Sequence, residues 1–201
     1  MTKKEKYDLA LWAMNYALKN GANQAAVSIS NQITNSVEVR DKKTDKLEQA
    51  IQRSMSIKLY VNRKYSSHST NRLNKKDLER FISEAIASTN YLSEDEFRML
   101  PDANLYFKGQ DKNLNTADPE FSEYGTGQKI NLARATEKEA LEKDNRVIAV
   151  SASYYDRFYE YLLVTSNGFK GDSSATRFGI NASVSVNGGE TRPESYWGES
   201  S

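Results

Sequence analysis

The sequence predicts an α+β protein made of two successive units, each with helices packed on an antiparallel β-sheet. Two observations predict this fold class. Apolar residues recur at helical spacing in three segments, and they alternate with polar residues in several others. In the first half of the chain these segments follow the order helix, antiparallel meander, helix, which is the order of a two-layer α+β unit.

The first unit is predicted to span residues 1–100 and to open with a helix over residues 5–20. The apolar side chains of this helix share one face, and Gly21 ends it. Short strands and one polar turn are expected next: strands at residues 25–30, at residues 37–39 and, weakly, around Leu47, with the turn at residues 42–45.

The clearest strand of the chain is residues 54–61. One of its faces is polar and the other is apolar, and the apolar residues are Met55, Ile57, Leu59 and Val61. Such an alternation indicates a sheet that is covered on one side only. We expect the cover to be a helix over residues 75–90, which presents Phe81, Ile82 and Ile86 to the strand.

A long connection is predicted at residues 101–122, which hold two of the three prolines and few aliphatic side chains. The second unit is expected at residues 123–201. Its predicted elements are a helix over residues 126–143 and strands at residues 147–152, 158–165 and 178–186. The Asn-Gly pair within residues 166–168 favours a hairpin turn before the last of these strands.

The strand at residues 178–186 alternates apolar and polar side chains along its whole length, but only a short polar tail follows it. We therefore expect an uncovered sheet edge there. Such an edge pairs readily with another chain, so self-association is predicted. The second unit is accordingly expected to be truncated.

Composition excludes several classes of protein. Lys and Arg number 28 and Asp and Glu number 27, so the basic excess of a dedicated nucleic-acid binder is missing. No apolar run approaches the roughly 18 residues of a membrane-spanning helix. The chain has no cysteine, which excludes disulfides and cysteine-based zinc sites. We expect a soluble, cytoplasmic protein with neither a nucleic acid nor a membrane as its partner.

His68 is the only histidine of the chain. A hydrolytic zinc site needs about three side-chain ligands, so one histidine cannot supply a histidine-rich ligand set. A structural role is favoured for His68, and a substrate-contacting or general-base role is the alternative.

Three acids, Glu94, Asp95 and Glu96, stand together in the sequence. They could hold Mg²⁺ or Ca²⁺, but they lack the glycine and the spacing of a calcium loop. The preferred interpretation is that Ser93 caps a short helical turn and that the acids complement its dipole.

Five aromatic residues crowd one predicted hairpin: Tyr154, Tyr155, Phe158, Tyr159 and Tyr161. They are interpreted either as cross-strand pairs that stabilise a sheet or as the lining of a groove. The sequence contains no nucleophile elbow, phosphate-binding loop or dinucleotide fingerprint. No catalytic, cofactor-binding or metal-binding residue is therefore assigned.

The order of several features resembles that of the TldD/PmbA family. The features in the first half are Gly21-Ala22, the strand at residues 38–40, Leu47-Glu48, the strand at residues 55–61, Ser69-Thr70-Asn71, the helix at residues 75–90 and Leu100-Pro101. Those in the second half are the helix after residue 126, Arg146-Val147, the turn at residues 166–168 and the strand at residues 178–186. In detail the chain looks closer to the PmbA (TldE) branch than to TldD.

The resemblance implies a metallopeptidase-related protein that acts on unfolded peptides together with a second subunit. In this family the zinc-binding motif belongs to the TldD subunit, so zinc is expected only on a TldD-like partner and no cofactor on this chain. The family's C-terminal metal-site domain is expected to be absent from this chain. The chain is expected to be a non-catalytic region that forms a peptide chamber and binds a TldD-like subunit or a second copy of itself. The alternative is a non-enzymatic interaction module of the gyrase-modulator type.

Overall fold

The computed structural model describes residues 1–108 and 114–201, which form three α-helices and a six-stranded β-sheet. The helices are α1 (Lys3–Lys19), α2 (Lys75–Thr89) and α3 (Thr126–Glu142). The strands are β1 (Gln24–Arg40), β2 (Lys43–Val61), β3 (Lys64–Thr70), β4 (Val147–Thr165), β5 (Lys170–Val186) and β6 (Glu194–Ser200). The order across the antiparallel sheet is β3-β2-β1-β4-β5-β6, and the predicted α+β class is confirmed.

The chain divides into two compact units, each assembled from three segments. The first unit contains Met1–Asn31, residues 52–108 and Glu160–Ser173; the second contains Gln32–Ile51, Leu114–Tyr159 and Ser174–Ser201. Strands β1, β2, β4 and β5 are 17 to 19 residues long, and each contributes to both units. The predicted division into residues 1–100, 101–122 and 123–201 instead gives each unit one continuous stretch of the chain. It stays a prediction about domain organisation.

The connecting segment at residues 101–122 is described only in part, because residues 109–113 lie outside the described residues. Its described parts include two short 3₁₀ helices, Ala103–Leu105 and Phe121–Glu123. Phe121 is buried, and its ring lies 5.7 Å from that of Phe158 and 6.0 Å from that of Phe178. This side chain therefore anchors the end of the segment to the second unit.

The core of the first unit lies between β2 and the helices α1 and α2. Met55, Ile57, Leu59 and Val61 are fully buried and belong to one cluster with Leu78, Ile82, Ala85 and Ile86 of α2. Phe81 packs against the same cluster from its edge. The predicted apolar face of β2 and the helix that covers it are thus confirmed.

The second unit has a smaller apolar core under α3. It consists of Val37 and Val39 of β1, Ala133 of α3 and Tyr154 of β4, with Ile130 and Phe178 packed against them. Because side chains alternate along a strand, the neighbours of these strand residues point to the other face of the sheet. That other face carries the candidate site described below.

Two tight turns join the first three strands. Asp41 and Lys42 have φ values of 51° and 61°, and Asn62 and Arg63 have φ values of 49° and 63°. Two consecutive residues with positive φ are the geometry of a type I′ hairpin turn. The polar turn expected at residues 42–45 is therefore two residues long and begins at Asp41, while β2 already starts at Lys43.

Several further expectations about strands are wrong. Residues 25–30 and 37–39 belong to one strand, β1, and Leu47 lies in the same strand, β2, as residues 54–61. Residues 147–152 and 158–165 belong to one continuous strand, β4, rather than to two. The predicted break corresponds to Asp156 and Arg157, whose charges interrupt the apolar pattern. Strand 178–186 is not an uncovered edge either, because β6 pairs with it from Gly179 opposite Ser200 to Ser185 opposite Glu194. All of β6 is exposed and mostly polar, so its sequence carries no alternation that would reveal a strand.

Candidate functional site

A half-buried polar surface covers the face of the second unit's sheet that points away from α3. We call it the polar face, and it consists of Glu38 on β1, Ser151, Ser153 and Tyr155 on β4, and Gly179 and Asn181 on β5. These residues alternate with the core residues of the same strands, so all of them share one side of the sheet. Side chains from three adjacent strands therefore meet there.

Hydrogen bonds between strands fix the polar face. The Ser151 hydroxyl donates to Glu38 Oε1 at 2.7 Å, and the Ser153 hydroxyl donates to Asn181 Oδ1 at 2.9 Å. Both bonds join residues on different strands, so they set the side-chain rotamers as well as the strand positions. The remaining polar atoms of these four side chains can still bind a ligand, because each can form more than one hydrogen bond.

Gly179 gives the polar face its shape. A Cβ atom added at this glycine would overlap the ring of Tyr155, and the three nearest atoms are all from the far end of that side chain. The ring of Tyr155 thus lies against the bare backbone of β5. A larger residue at position 179 would push the ring away without forcing the backbone to move.

The polar face carries side chains that can form hydrogen bonds with a ligand. It presents hydroxyls, an amide and a carboxylate, which can pair with the N–H and C=O groups of an extended peptide. Ser151 is paired with a carboxylate, and the only histidine of the chain belongs to the first unit. A serine nucleophile is normally activated by an adjacent general base such as histidine. Ser151 and Ser153 instead donate hydrogen bonds to the oxygens of Glu38 and Asn181.

On the opposite face of the same sheet, a carboxylate is buried in the core under α3. Asp156 is completely buried, and its two oxygens accept from three side chains. Asn35 Nδ2 donates to Oδ1 at 2.6 Å, while Lys129 Nζ lies 2.6 Å and Tyr154 Oη lies 3.0 Å from Oδ2. Lys129 is itself 5% exposed, so both charges of this ion pair are withdrawn from water.

Burial, and then the nearby charge of Asp156, raise the pKa of Tyr154 well above its usual range. The phenol therefore keeps its proton and donates a hydrogen bond to the carboxylate. Asp156 thus pairs with side chains from α3, β1 and β4, and this cluster is a structural support that holds α3 on the two strands.

Comparison with models of protein families shows the family of the chain. Residues 25–89 match the model described as PmbA/TldA metallopeptidase domain 1, and residues 119–201 match the PmbA/TldA metallopeptidase central domain. The chain belongs to the PmbA/TldD family. The resemblance seen in the sequence is confirmed, and each of its two blocks overlaps one of the matched regions.

Solved structures agree with this assignment. A Bacteroides thetaiotaomicron protein named for a proposed role as a modulator of DNA gyrase is 42% identical with a TM-score of 0.94, and the match covers 100% of this chain and 46% of that one. A Thermotoga maritima protein with the same designation is 17% identical with a TM-score of 0.78, covering 97% and 43%. TldE from Thermococcus kodakarensis is 13% identical with a TM-score of 0.76, covering 96% and 42%.

The two more distant likenesses show the fold alone. This PmbA/TldD-family chain spans less than half the length of each of these solved relatives. A comparison with curated proteins finds no match.

His68 of this PmbA/TldD-family chain lies on β3, opposite Ile57 of β2. Its half-buried ring meets the edge of Phe81 at a centroid distance of 6.3 Å. Its Nε2 atom is buried and has no hydrogen-bond partner among the described residues. The ring thus packs at the margin of the first unit's core, and the role of His68 stays a prediction.

The acidic cluster forms a turn rather than a helix. The expected helical turn after Ser93 is wrong, because residues 93–96 contain no helical residue. Asp95 is the residue that organises the segment: it accepts from the Phe97 N–H at 3.2 Å, and it pairs with Arg98 at 3.4 Å. Its own N–H donates to the carbonyl of Arg63, so the turn is held against the β2–β3 hairpin.

The aromatic residues of β4 divide between the two faces of the sheet. All five lie on β4, which is one arm of the β4–β5 hairpin. Tyr154 is buried toward α3, whereas Tyr155 lies on the polar face. The two interpretations, sheet-stabilising pairs and the lining of a groove, both stay predictions for these tyrosines. Alternation within a single long strand is the signal that could have separated them.

None of the helices in the described part of the chain is both long enough and apolar enough to cross a lipid bilayer.

We expect the purified chain to bind no stoichiometric zinc. It has one histidine and no cysteine, and within residues 1–108 and 114–201 no three His, Asp or Glu side chains are grouped as metal ligands would be. Elemental analysis after dialysis should therefore give far less than one zinc per chain, with a His68→Ala variant as the matched control. About one zinc per chain, as catalytic zinc sites hold, would contradict the expectation, and its loss in the variant would make His68 a ligand.

Proposed function

We propose that this chain supplies the N-terminal and central regions of a PmbA-like, non-catalytic subunit that presents unfolded peptides to a metal-carrying, TldD-like partner. The polar face is the observation that carries the proposal. It offers peptide-type hydrogen-bonding groups from three adjacent strands, in a chain whose two matched domains belong to a metallopeptidase family. Hydrolysis is assigned to the zinc of the partner subunit, and this chain supplies peptide binding and orientation.

The proposed binding mode uses an extended peptide. Its amide groups would pair with Ser153, Asn181 and the free acceptor capacity of Glu38, while the Tyr155 ring would form one wall. Because these contacts are mostly with peptide backbone, the surface would accept many sequences, which fits an activity on unfolded peptides.

A glycine substitution tests the polar face. Gly179→Ala should displace the Tyr155 ring at little cost in stability, because the clash is with the far end of a side chain and not with backbone. In a reconstituted mixture with a TldD-like subunit, we expect KM for an unfolded peptide to rise roughly five- to tenfold, as loss of about 1 kcal/mol of binding implies. Peptide cleavage should be followed with and without a chelator.

Gly127→Ala is the matched control, since nothing lies within 4 Å of a Cβ atom at that glycine. It should leave KM and melting temperature unchanged. Equal KM values for Gly179→Ala and the unsubstituted chain would contradict the polar face as the peptide site. Chelator-sensitive cleavage by this chain alone would contradict the non-catalytic assignment.

The second candidate function is a non-enzymatic interaction module that regulates DNA gyrase. It is favoured by the designation of the Bacteroides thetaiotaomicron and Thermotoga maritima proteins. An affinity pull-down discriminates the two candidates. A metallopeptidase subunit as the retained partner supports the peptide-presenting role, and a topoisomerase retained without any such subunit supports the regulatory one.

A further inference from the structure

Two arginines stand opposite each other at one end of the polar face. The Tyr155 ring lies on Gly179, so these two residues are neighbours across β4 and β5. The side-chain hydrogen bond that joins β4 to β5 at the preceding pair gives the same register. Two residues closer to the β4–β5 turn, Arg157 therefore faces Arg177. The Cβ atoms of residues that face each other in this way lie about 4.5–5.5 Å apart.

Both arginine side chains lie on the same side of the sheet as the polar face, and we call them the arginine pair. Arg157 stands between Asp156 and Phe158, which point to the α3 side, so alternation turns it to the opposite side. Arg177 Nη2 donates to the Ser200 hydroxyl at 3.1 Å, and Ser200 pairs with the glycine of the polar face. Both arginines are exposed to solvent.

No carboxylate in the described part of the chain balances the two like charges of the arginine pair. Neither guanidinium forms an ion pair there, and Arg157 forms no hydrogen bond there either. Glu38, the carboxylate of the polar face, is bonded to Ser151, six residues before Arg157 on β4, and six strand residues span about 20 Å. Like charges that face each other across a sheet are destabilising. A bound anion would therefore stabilise this end of the sheet.

The chemistry of the arginine pair matches a carboxylate. A guanidinium presents its N–H groups in a planar fork that can bind both carboxylate oxygens. Every unmodified peptide ends in a carboxylate, whatever its sequence, so such a site agrees with a polar face that contacts peptide backbone. We infer that the arginine pair binds the C-terminal carboxylate of a peptide that lies on the polar face. This inference rests on the peptide-presenting function proposed above.

The length of the polar face indicates the class of peptide. From Ser151 to Arg157, β4 advances about 20 Å, which an extended peptide covers with about six residues. A peptide of this length places its C-terminus on the arginine pair while its backbone runs back along the hydroxyls and the amide. The expected substrates are therefore short peptides with a free C-terminus, rather than interior segments of a long unfolded chain.

Binding of a hexapeptide to the purified chain tests the arginine pair. A hexapeptide of uncharged residues, with a fluorescent label at its N-terminus, is compared as the free acid and as the C-terminal amide by fluorescence anisotropy. We expect the free acid to bind about tenfold more tightly at low ionic strength, because hydrogen bonds between ionised groups are the stronger ones. Added salt should reduce this preference, since the arginine pair is exposed to solvent.

Substitution of the arginine pair should remove the preference for the free acid. Arg157→Gln and Arg177→Gln should each reduce it, and the double variant should abolish it while the affinity for the amide stays unchanged. Arg134→Gln is the matched control, because it removes the same charge from an exposed position of α3, on the opposite side of the sheet. This control should keep the full preference.

Thermal unfolding shows whether Arg157 has a structural role instead. Arg157→Gln should leave the melting temperature unchanged or raise it slightly, because it removes the repulsion between like charges. A clear fall in the melting temperature would assign Arg157 to the stability of the sheet and overturn the inference.

Equal affinity of the chain for the free acid and the amide would overturn the inference and leave the peptide-presenting function standing. A third probe, an amidated hexapeptide with aspartate as its last residue, offers the same carboxylate on a side chain. Tighter binding of this probe than of the free acid would overturn the assignment to the C-terminus. A chain that binds none of the three peptides would overturn this inference together with the peptide-presenting function.

Discussion

Replacing Asp156 by alanine is expected to lower the free energy of unfolding by about 3–5 kcal/mol, the cost typical of removing one partner of a buried ion pair. The substitution would leave the Lys129 ammonium in the core without its counter-charge. It would also remove the acceptor for the Asn35 amide and the Tyr154 hydroxyl, which lie 2.6 and 3.0 Å from the carboxylate oxygens. Urea unfolding followed by circular dichroism measures the change.

The matched control is Asp144→Ala. Asp144 also pairs with a cation, Arg146, at 2.7 Å, but both side chains are exposed to water. Solvent screens such a pair, so its loss should have little effect on stability. Equal urea midpoints of unfolding for the two alanine variants would contradict the burial of Asp156.

A double variant separates the contribution of charge to the free energy of unfolding from the contribution of packing. Asp156→Leu combined with Lys129→Met removes both charges and keeps apolar volume, and buried pairs replaced in this way often lose little stability or gain some. We expect the double variant to be markedly more stable than Asp156→Ala. A coupling free energy near zero between positions 156 and 129 would show that the ion pair has no energetic role.

The sequence alone could not reveal this cluster. Asp156 stands among tyrosines in a segment that a local pattern divides into two strands, and its burial depends on Lys129 in a helix that precedes β4. Long-range pairing of this kind leaves no local signal, because a buried carboxylate and an exposed one look the same in sequence. The polar strand β6 escaped prediction for a related reason, since its pairing with β5 depends on neighbours and not on its own pattern.

In contrast, the alternation of apolar and polar side chains was sufficient to predict the buried face of a strand wherever a helix covers that face. It correctly placed Met55, Ile57, Leu59 and Val61 on a single buried face. The same alternation along β1, β4 and β5 places the residues of the polar face on the side of the sheet opposite to α3. Its distinguishing contact, the Tyr155 ring on Gly179, was not predictable, because it depends on the register between β4 and β5.

Truncation of Ile57 is expected to have the second large effect on stability. Its side chain is fully buried between β2 and α2, so Ile57→Ala should lower the free energy of unfolding by about 2–5 kcal/mol through lost burial and the remaining cavity. Ile57→Val removes only one methylene group and should cost roughly 0.5–1.5 kcal/mol. Thermal and urea unfolding of the three proteins give this series.

Ser56, the neighbour of Ile57 on the other face of β2, is the position that makes the series decisive. Its hydroxyl lies 2.8 Å from the Ser69 hydroxyl and donates to the His68 carbonyl at 3.2 Å, at a half-buried position that water can still reach. Ser56→Ala should therefore cost no more than about 1 kcal/mol, the net value of one ordinary hydrogen bond. Because the two residues are adjacent, a one-residue slip in the register of β2 would exchange their environments. A larger loss for Ser56→Ala than for Ile57→Ala would show that the buried face of β2 is the opposite one.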